Sequence, residues 1–331
     1  MKDKIVKIWK TLCFFLVFLI ALYLVCSILK FKYDDGVKPM DNFYDLPEDT
    51  VDVLLLGSSH MGMNVDPSIM WDEQGIAAYA CWGGMQPTWN TYYYLKECLE
   101  YQKPELVVMD TYLATNDLEY DSYENMVKNV LGMRMSQNKL DAVKDSVTSE
   151  YQSSVLLGLP TYHYRYAELT SEDFQDFFWN KNYEIQSIPT SGDSVQKIQI
   201  MDTKNVKGTE ELSEKLGSYL YKIIKYCKEE EVPLLLVTSP YEVREIEQKR
   251  YNKIQKIADQ YGVKFLNFNN FYQDIGINTD TDFLDPGHMN DSGRKKYTAY
   301  LADYIKKNYQ VPDRREDASH VWNQERDIQE Q

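Results

Sequence analysis

Five short, almost uninterrupted apolar runs recur along the chain, at residues 51–56, 77–81, 106–110, 233–238 and 263–268. Runs of this length without polar alternation read as strands buried on both faces, which is the environment of a parallel sheet. Between them lie segments of helical period, at 67–73, 87–101, 210–230, 243–260 and 292–308. Strand and helix patterns that alternate in this way predict an α/β, doubly wound fold. In such a sheet the ligand crevice lies outside the carboxyl ends of the strands, so the loops after Leu56, Cys81, Asp110 and Thr238 are where chemistry is expected.

One apolar run differs from the rest. Residues 11–29 contain no charge and are flanked by Lys7 and Lys10 before and by Lys30 and Lys32 after. That is the length of a membrane-spanning helix. A cleaved signal peptide competes with a retained anchor, but the run exceeds a usual signal core and no small-x-small cleavage site follows it. Val25 also stands where a lipoprotein site before Cys26 requires a small residue. A retained anchor is therefore expected. Lys2, Lys4, Lys7 and Lys10 against Asp3 place residues 1–10 in the cytoplasm and the remainder outside the cell membrane, although Lys30 and Lys32 count the other way.

The polar stretch 30–50 is expected to be a stalk and 51–310 the folded domain, with an insertion at about 113–206 that roofs the site. The charged tail 311–331 is expected to be disordered. Within the insertion, Pro160-Thr161-Tyr162-His163-Tyr164-Arg165-Tyr166 concentrates aromatic side chains with His163 and Arg165. It reads either as a sugar-facing lid or as packing.

Two segments carry candidate chemistry. The first strand runs into Gly57-Ser58-Ser59-His60, where glycine permits a sharp turn that exposes the next side chain. Far downstream, Asp285-Pro286-Gly287-His288 precedes the last helix. A serine hydroxyl becomes a nucleophile when a neutral imidazole takes its proton, and a carboxylate on the other ring nitrogen orients that imidazole. Ser59, His288 and Asp285 fill these roles, with Ser58 as the alternative nucleophile. His60 either tunes the site or fills space beneath the loop.

Gly-x-Ser after the first strand together with Asp-x-x-His before the final helix resembles the SGNH, or GDSL-like, hydrolases. The resemblance implies a flavodoxin-like doubly wound sheet and a Ser59–His288–Asp285 triad. It also implies an oxyanion hole built from the Ser59 N–H and the second block, Cys81-Trp82-Gly83-Gly84-Met85-Gln86, where Gly84, Gly83 or Gln86 would donate. In the third block the family presents an asparagine, but this chain has Asp110. An ionised carboxylate cannot donate, so Gln86, Thr111 or Asn116 would have to complete the hole. With one N-terminal span, the chain is similar to the membrane-anchored subgroup that includes the teichoic acid D-alanyl transfer protein. That likeness implies a serine O-acyltransferase or esterase acting on a cell-surface polysaccharide or teichoic-acid-type polymer, beside a multispanning membrane-bound O-acyltransferase. A catalytically inactive SGNH-fold scaffold assisting such an enzyme is the alternative.

Charge narrows the partners. Residues 1–32 hold six of the 36 basic and one of the 51 acidic side chains, so the rest carries 30 against 50, a formal charge of −20. Such a surface repels nucleic acid, which is not an expected partner. No P-loop, dinucleotide fingerprint or metal motif occurs, and no cofactor or metal is expected. Cys13 and Cys26 fall in the apolar span, leaving Cys81, Cys98 and Cys227, which read as buried thiols with one bridge among them left open.

Overall fold

In the computed structural model each of the five apolar runs forms a strand: β1 (Val53–Gly57), β2 (Ala78–Trp82), β3 (Leu106–Asp110), β4 (Leu234–Thr238) and β5 (Lys264–Asn267). The structure describes residues 2–116, 120, 122–171, 173, 174, 186, 188, 190, 191 and 194–323. Every strand pairing is parallel and the order is β2-β1-β3-β4-β5. The chain divides into two units, one formed by 33–147 with 183–331 and containing this sheet, the other by 1–32 with 148–182.

The helices are α1 (Lys2–Leu29), α2 (Lys38–Asp45), α3 (Ser59–Asn64), α4 (Pro67–Gln74), α5 (Thr88–Tyr101), α6 (Tyr123–Leu131), α7 (Gln137–Ser146), α8 (Ser149–Leu157), α9 (Leu159–Tyr162), α10 (Glu214–Glu229), α11 (Glu245–Tyr261) and α12 (Asp291–Asn308). On one face of the sheet, Val53, Leu55, Val108, Leu235 and Val237 join Met61 of α3, Met70 of α4 and Tyr297, Leu301 and Ile305 of α12 in a single buried cluster. Successive strand residues point to opposite faces, so Leu54 and Leu56 turn the other way, to the face on which α5 packs against β1 and α10 against α5. Both faces are thereby covered, which is why the strands read as continuous apolar runs rather than alternating ones.

The stalk expected at 30–50 is not one. Beyond Tyr33 the chain enters the sheet-containing unit, where Val37, Met40 and Phe43 are fully buried and the Tyr79 hydroxyl donates to the Pro39 carbonyl. The apolar residues that hold this segment are spaced among Asp, Lys and Pro, so their common face is visible only once α2 has formed. The tail expected to be disordered from 311 is likewise ordered as far as Asn323, while 324–331 lie outside the described residues. His320 stacks on Trp71, Trp322 is buried, and the Arg314 guanidinium forks onto Asp52 at 2.7 and 3.0 Å. Asp52 sits just before β1 and is almost wholly buried, so removing its cation leaves a poorly solvated charge. Arg314→Ala is expected to lower stability by about 1–2 kcal/mol, discounted because the guanidinium side is partly exposed; chemical denaturation measures it.

The insertion expected at 113–206 is not one body. α6 and α7 belong to the sheet-containing unit, where α7 packs on α5. Residues 148–182 belong to the other unit, with α1. There Arg165 donates to the Leu29 and Lys30 carbonyls and to Asp173, Lys32 pairs with Asp173 at 3.0 Å, and the His163 ring lies 2.9 Å from the Pro160 carbonyl. Arg165 thus serves the end of the apolar helix. α1 is long and apolar enough to cross a membrane, judged by length and composition. Cys81, Cys98 and Cys227 are buried free thiols.

Candidate active site

The site begins at the end of β1, where Gly57 has φ +153°. A Cβ there would lie 2.8 Å from the Asp110 Cβ and 3.2 Å from the Met61 Cβ, so only glycine fits the turn. Ser58 follows as the N-cap of α3, its Oγ accepting from the His60 N–H. Its side chain is buried and faces Asp110 at 3.4 Å, not His288. Ser59, the first residue of α3, is the serine that reaches the crevice. β1 stands between β2 and β3, where the strand order reverses, the position at which open parallel sheets leave a crevice.

The partner loop is a tight antiparallel turn. Phe283 and Met289 form an isolated bridge, and the Leu284 N–H donates to the His288 carbonyl at 2.9 Å. Inside the turn the Asp285 carboxylate accepts the Gly287 and His288 N–H groups at 2.7 and 2.9 Å and meets His288 Nδ1 at 2.8 Å. His288 Nε2 lies 2.9 Å from Ser59 Oγ. Burial raises the Asp285 pKa, but the His288 ring and the Gly287 N–H outweigh it and hold the carboxyl below its ordinary range. An ionised carboxylate only accepts, so Nδ1 carries the ring proton and Nε2 presents its lone pair to the serine hydroxyl. Ser59, His288 and Asp285 are thereby joined in one hydrogen-bonded line.

The residues expected to complete an oxyanion hole are committed elsewhere. The Gly84 N–H donates to the Asp35 carboxylate at 2.6 Å, and Asp35 is paired with Lys128 at 2.7 Å. The Gly83 N–H reaches the Gly57 carbonyl at 3.4 Å. Gln86 is buried, donating to Asn129 and accepting from Thr91. Thr111 is buried as well, its hydroxyl on the Val237 carbonyl. The sequence could not show the Asp35 contact, because it comes from the segment read as a stalk. Of the expected donors, the Ser59 N–H at the first turn of α3 is the one that no hydrogen bond engages among the described residues.

Beneath the line of three, Asn64 is the residue that sequence reasoning missed. It is fully buried at the end of α3; its Oδ1 accepts the Met289 N–H at 2.8 Å while its Nδ2 donates to Ser239 Oγ at 2.8 Å and faces the Gly287 carbonyl at 3.4 Å. It therefore clamps both flanks of His288. Ser239, just after β4 in one of the expected crevice loops, lies 3.3 Å from His60 Nδ1. Burial, and secondarily the neighbouring His288, holds the His60 pKa well below the ordinary value, consistent with a neutral ring. That ring stacks on Tyr112 at 3.5 Å and meets Tyr241 edge-on. Asn64→Ala leaves the Met289 N–H without its acceptor. The expected result is a loss of about 1–2 kcal/mol in stability and about 10- to 100-fold in serine reactivity, read by denaturation and by the rate of covalent serine labelling.

Beside the turn lies a cleft of about 530 Å³ lined by Gln199, Ile200, Met201, Glu242, Val243, Arg244 and Pro286. Pro286 belongs to the Asp285–His288 turn, so the cleft shares a wall with that turn. Among the described residues no group of His, Cys, Asp and Glu is arranged to hold a metal ion. No protein-family model and no curated protein matches this sequence.

Proposed function

We propose that this chain is an SGNH-type serine hydrolase of the membrane-anchored, acyl-handling kind, an O-acyltransferase or esterase. The observation that carries the reading is the unbroken hydrogen-bonded line from Ser59 Oγ through His288 to Asp285 at the carboxyl end of β1. The strand order 2-1-3-4-5 supports a flavodoxin-like arrangement for it. In the proposed reaction Ser59 Oγ bonds to the ester carbonyl carbon and passes its proton to His288 Nε2. The oxygen that becomes negative lies against the Ser59 N–H. Collapse breaks the bond to the leaving alcohol, which takes the proton from His288 and leaves acyl-Ser59. A sugar or polymer hydroxyl then repeats the steps in reverse as transferase chemistry, or water does so as esterase chemistry. α1 anchors the domain with residues 1–10 in the cytoplasm and the site outside, where a cell-surface polysaccharide or teichoic-acid-type polymer is the acceptor and a multispanning O-acyltransferase is the acyl supplier.

Two observations favour a second reading, an inactive scaffold that assists such an acyltransferase: the Gly84 N–H is taken by Asp35 and a carboxyl stands at the third-block position. Treating the full chain in detergent with a fluorophosphonate separates the two. A single adduct mapped to Ser59, lost in Ser59→Ala and retained in Ser58→Ala, is the expected result; a folded parent without adduct makes it a scaffold.

A further inference from the structure

Asp110 closes β3 directly under the nucleophile turn. It is almost wholly buried, and its Oδ1 has no hydrogen-bond partner among the described residues. Its Oδ2 faces the Ser58 hydroxyl at 3.4 Å and the Tyr112 N–H at 3.2 Å. The turn rests on it, since at Gly57 even a methyl group would press on the Asp110 Cβ. Among the described residues, the groups around it supply no cation. Ser58 faces it from the turn, Tyr251 from α11 and Tyr297 from α12; His60 of α3, stacked on Tyr112, is neutral. Arg244, Glu247 and Asp285 act on Tyr112 beyond it, and Arg244 is tied to Glu247. A buried carboxylate with one oxygen unsatisfied and no counter-ion is costly, whereas the neutral acid has a proton to share and a smaller desolvation penalty.

We propose that Asp110 is a positioning residue for Ser59, holding the Gly57-Ser58-Ser59 turn from beneath as an uncharged carboxylic acid. The inference rests on the acyl-serine reading of the site. Burial pushes the carboxyl up to about 7, against the Tyr112 N–H and the Ser58 hydroxyl, whose hydrogen bonds favour ionisation. Above that pH the carboxylate seeks donors from the turn, drawing Ser58 and the neighbouring N–H groups downward, and its charge opposes the negative oxygen forming at the Ser59 N–H. Reactivity therefore falls as Asp110 loses its proton. The linkage has a definite sign. A carboxyl raised above its ordinary 3.8 favours the folded state in full at low pH, and that stabilisation is lost as pH climbs to about 7.

The test is the fluorophosphonate labelling rate of the full chain in detergent, from pH 5 to 9, for the parent, Asp110→Asn and Asp110→Ala, with thermal melting of each. Asparagine keeps the shape and cannot ionise. The expected result is that Asp110→Asn labels like the parent at pH 6, about tenfold faster at pH 8.5, and melts about 3–6 °C higher at pH 8.5 with a smaller gain at pH 5. Asp110→Ala, which loses the support as well as the charge, labels slowly at every pH. Superimposable pH profiles for the parent and Asp110→Asn overturn the positioning role while leaving the nucleophile intact. A folded parent that is unlabelled at every pH overturns the acyl-serine reading itself, and the positioning role with it.

Discussion

Replacing Ser59 by alanine is expected to reduce turnover of an activated ester by about 10⁴-fold or more, to the level left by binding and the remaining N–H donors. The geometry gives the reason. Ser59 Oγ is the hydroxyl at 2.9 Å from His288 Nε2, while Ser58 is turned away towards Asp110 and cannot substitute. His288→Ala should cost a similar factor, and the Ser59→Ala/His288→Ala double variant little more than either alone, because groups that act as a unit fail together. Asp285→Asn keeps the shape of the turn but replaces an acceptor-only carboxylate with an amide, so the ring no longer has its Nδ1 proton fixed. Its loss should appear mainly in kcat. Additive losses for Ser59 and His288 would show that they do not work as one device, and an undiminished Ser59→Ala enzyme would move the nucleophile elsewhere.

Gly57→Ala is expected to lower stability by about 2–4 kcal/mol and to abolish serine labelling. The backbone at φ +153° suits glycine, and the added Cβ would meet the Asp110 Cβ at 2.8 Å. Neither contact relaxes cheaply. Asp110 is fixed in the middle of the sheet and Met61 in the core beneath α3, so β1 or the turn must move instead, and Ser59 moves with it. Denaturation of the purified variant measures the first effect and fluorophosphonate labelling the second. A stable Gly57→Ala chain that still labels at the parental rate would show that the turn tolerates another backbone conformation.

The strands and the helices that cover them were legible because burial on both faces leaves a signature in the sequence itself, an apolar run too long to alternate. Each expected run contains most of an observed strand, and 67–73, 87–101 and 292–308 correspond closely to α4, α5 and α12. Ser59, Asp285 and His288 were legible for a related reason. Each lies in a local turn whose glycine and proline are written in the chain, and the structure brings together side chains 229 residues apart in sequence.

What failed was everything that depends on a partner distant in sequence and ordinary in type. The stretch 33–50 is as polar as a linker, yet Val37, Met40 and Phe43 are buried and Asp35 takes the Gly84 N–H. The segment 311–323 is charged, yet Arg314 finds Asp52 across the fold and Trp322 enters the interior. Asn64 has no motif to mark it.

The sequence by itself determined the α/β class, the apolar N-terminal helix, and Asp285 and His288 with a serine pair at the end of β1 as the candidate line, because short-range patterning and turn chemistry dictate those. Tertiary structure alone decided which serine faces His288, which N–H groups remain free, and that a carboxyl with no counter-ion among the described residues lies under Ser59. Those properties belong to distances across the sheet and to desolvation, and neither exists until the chain has closed around them.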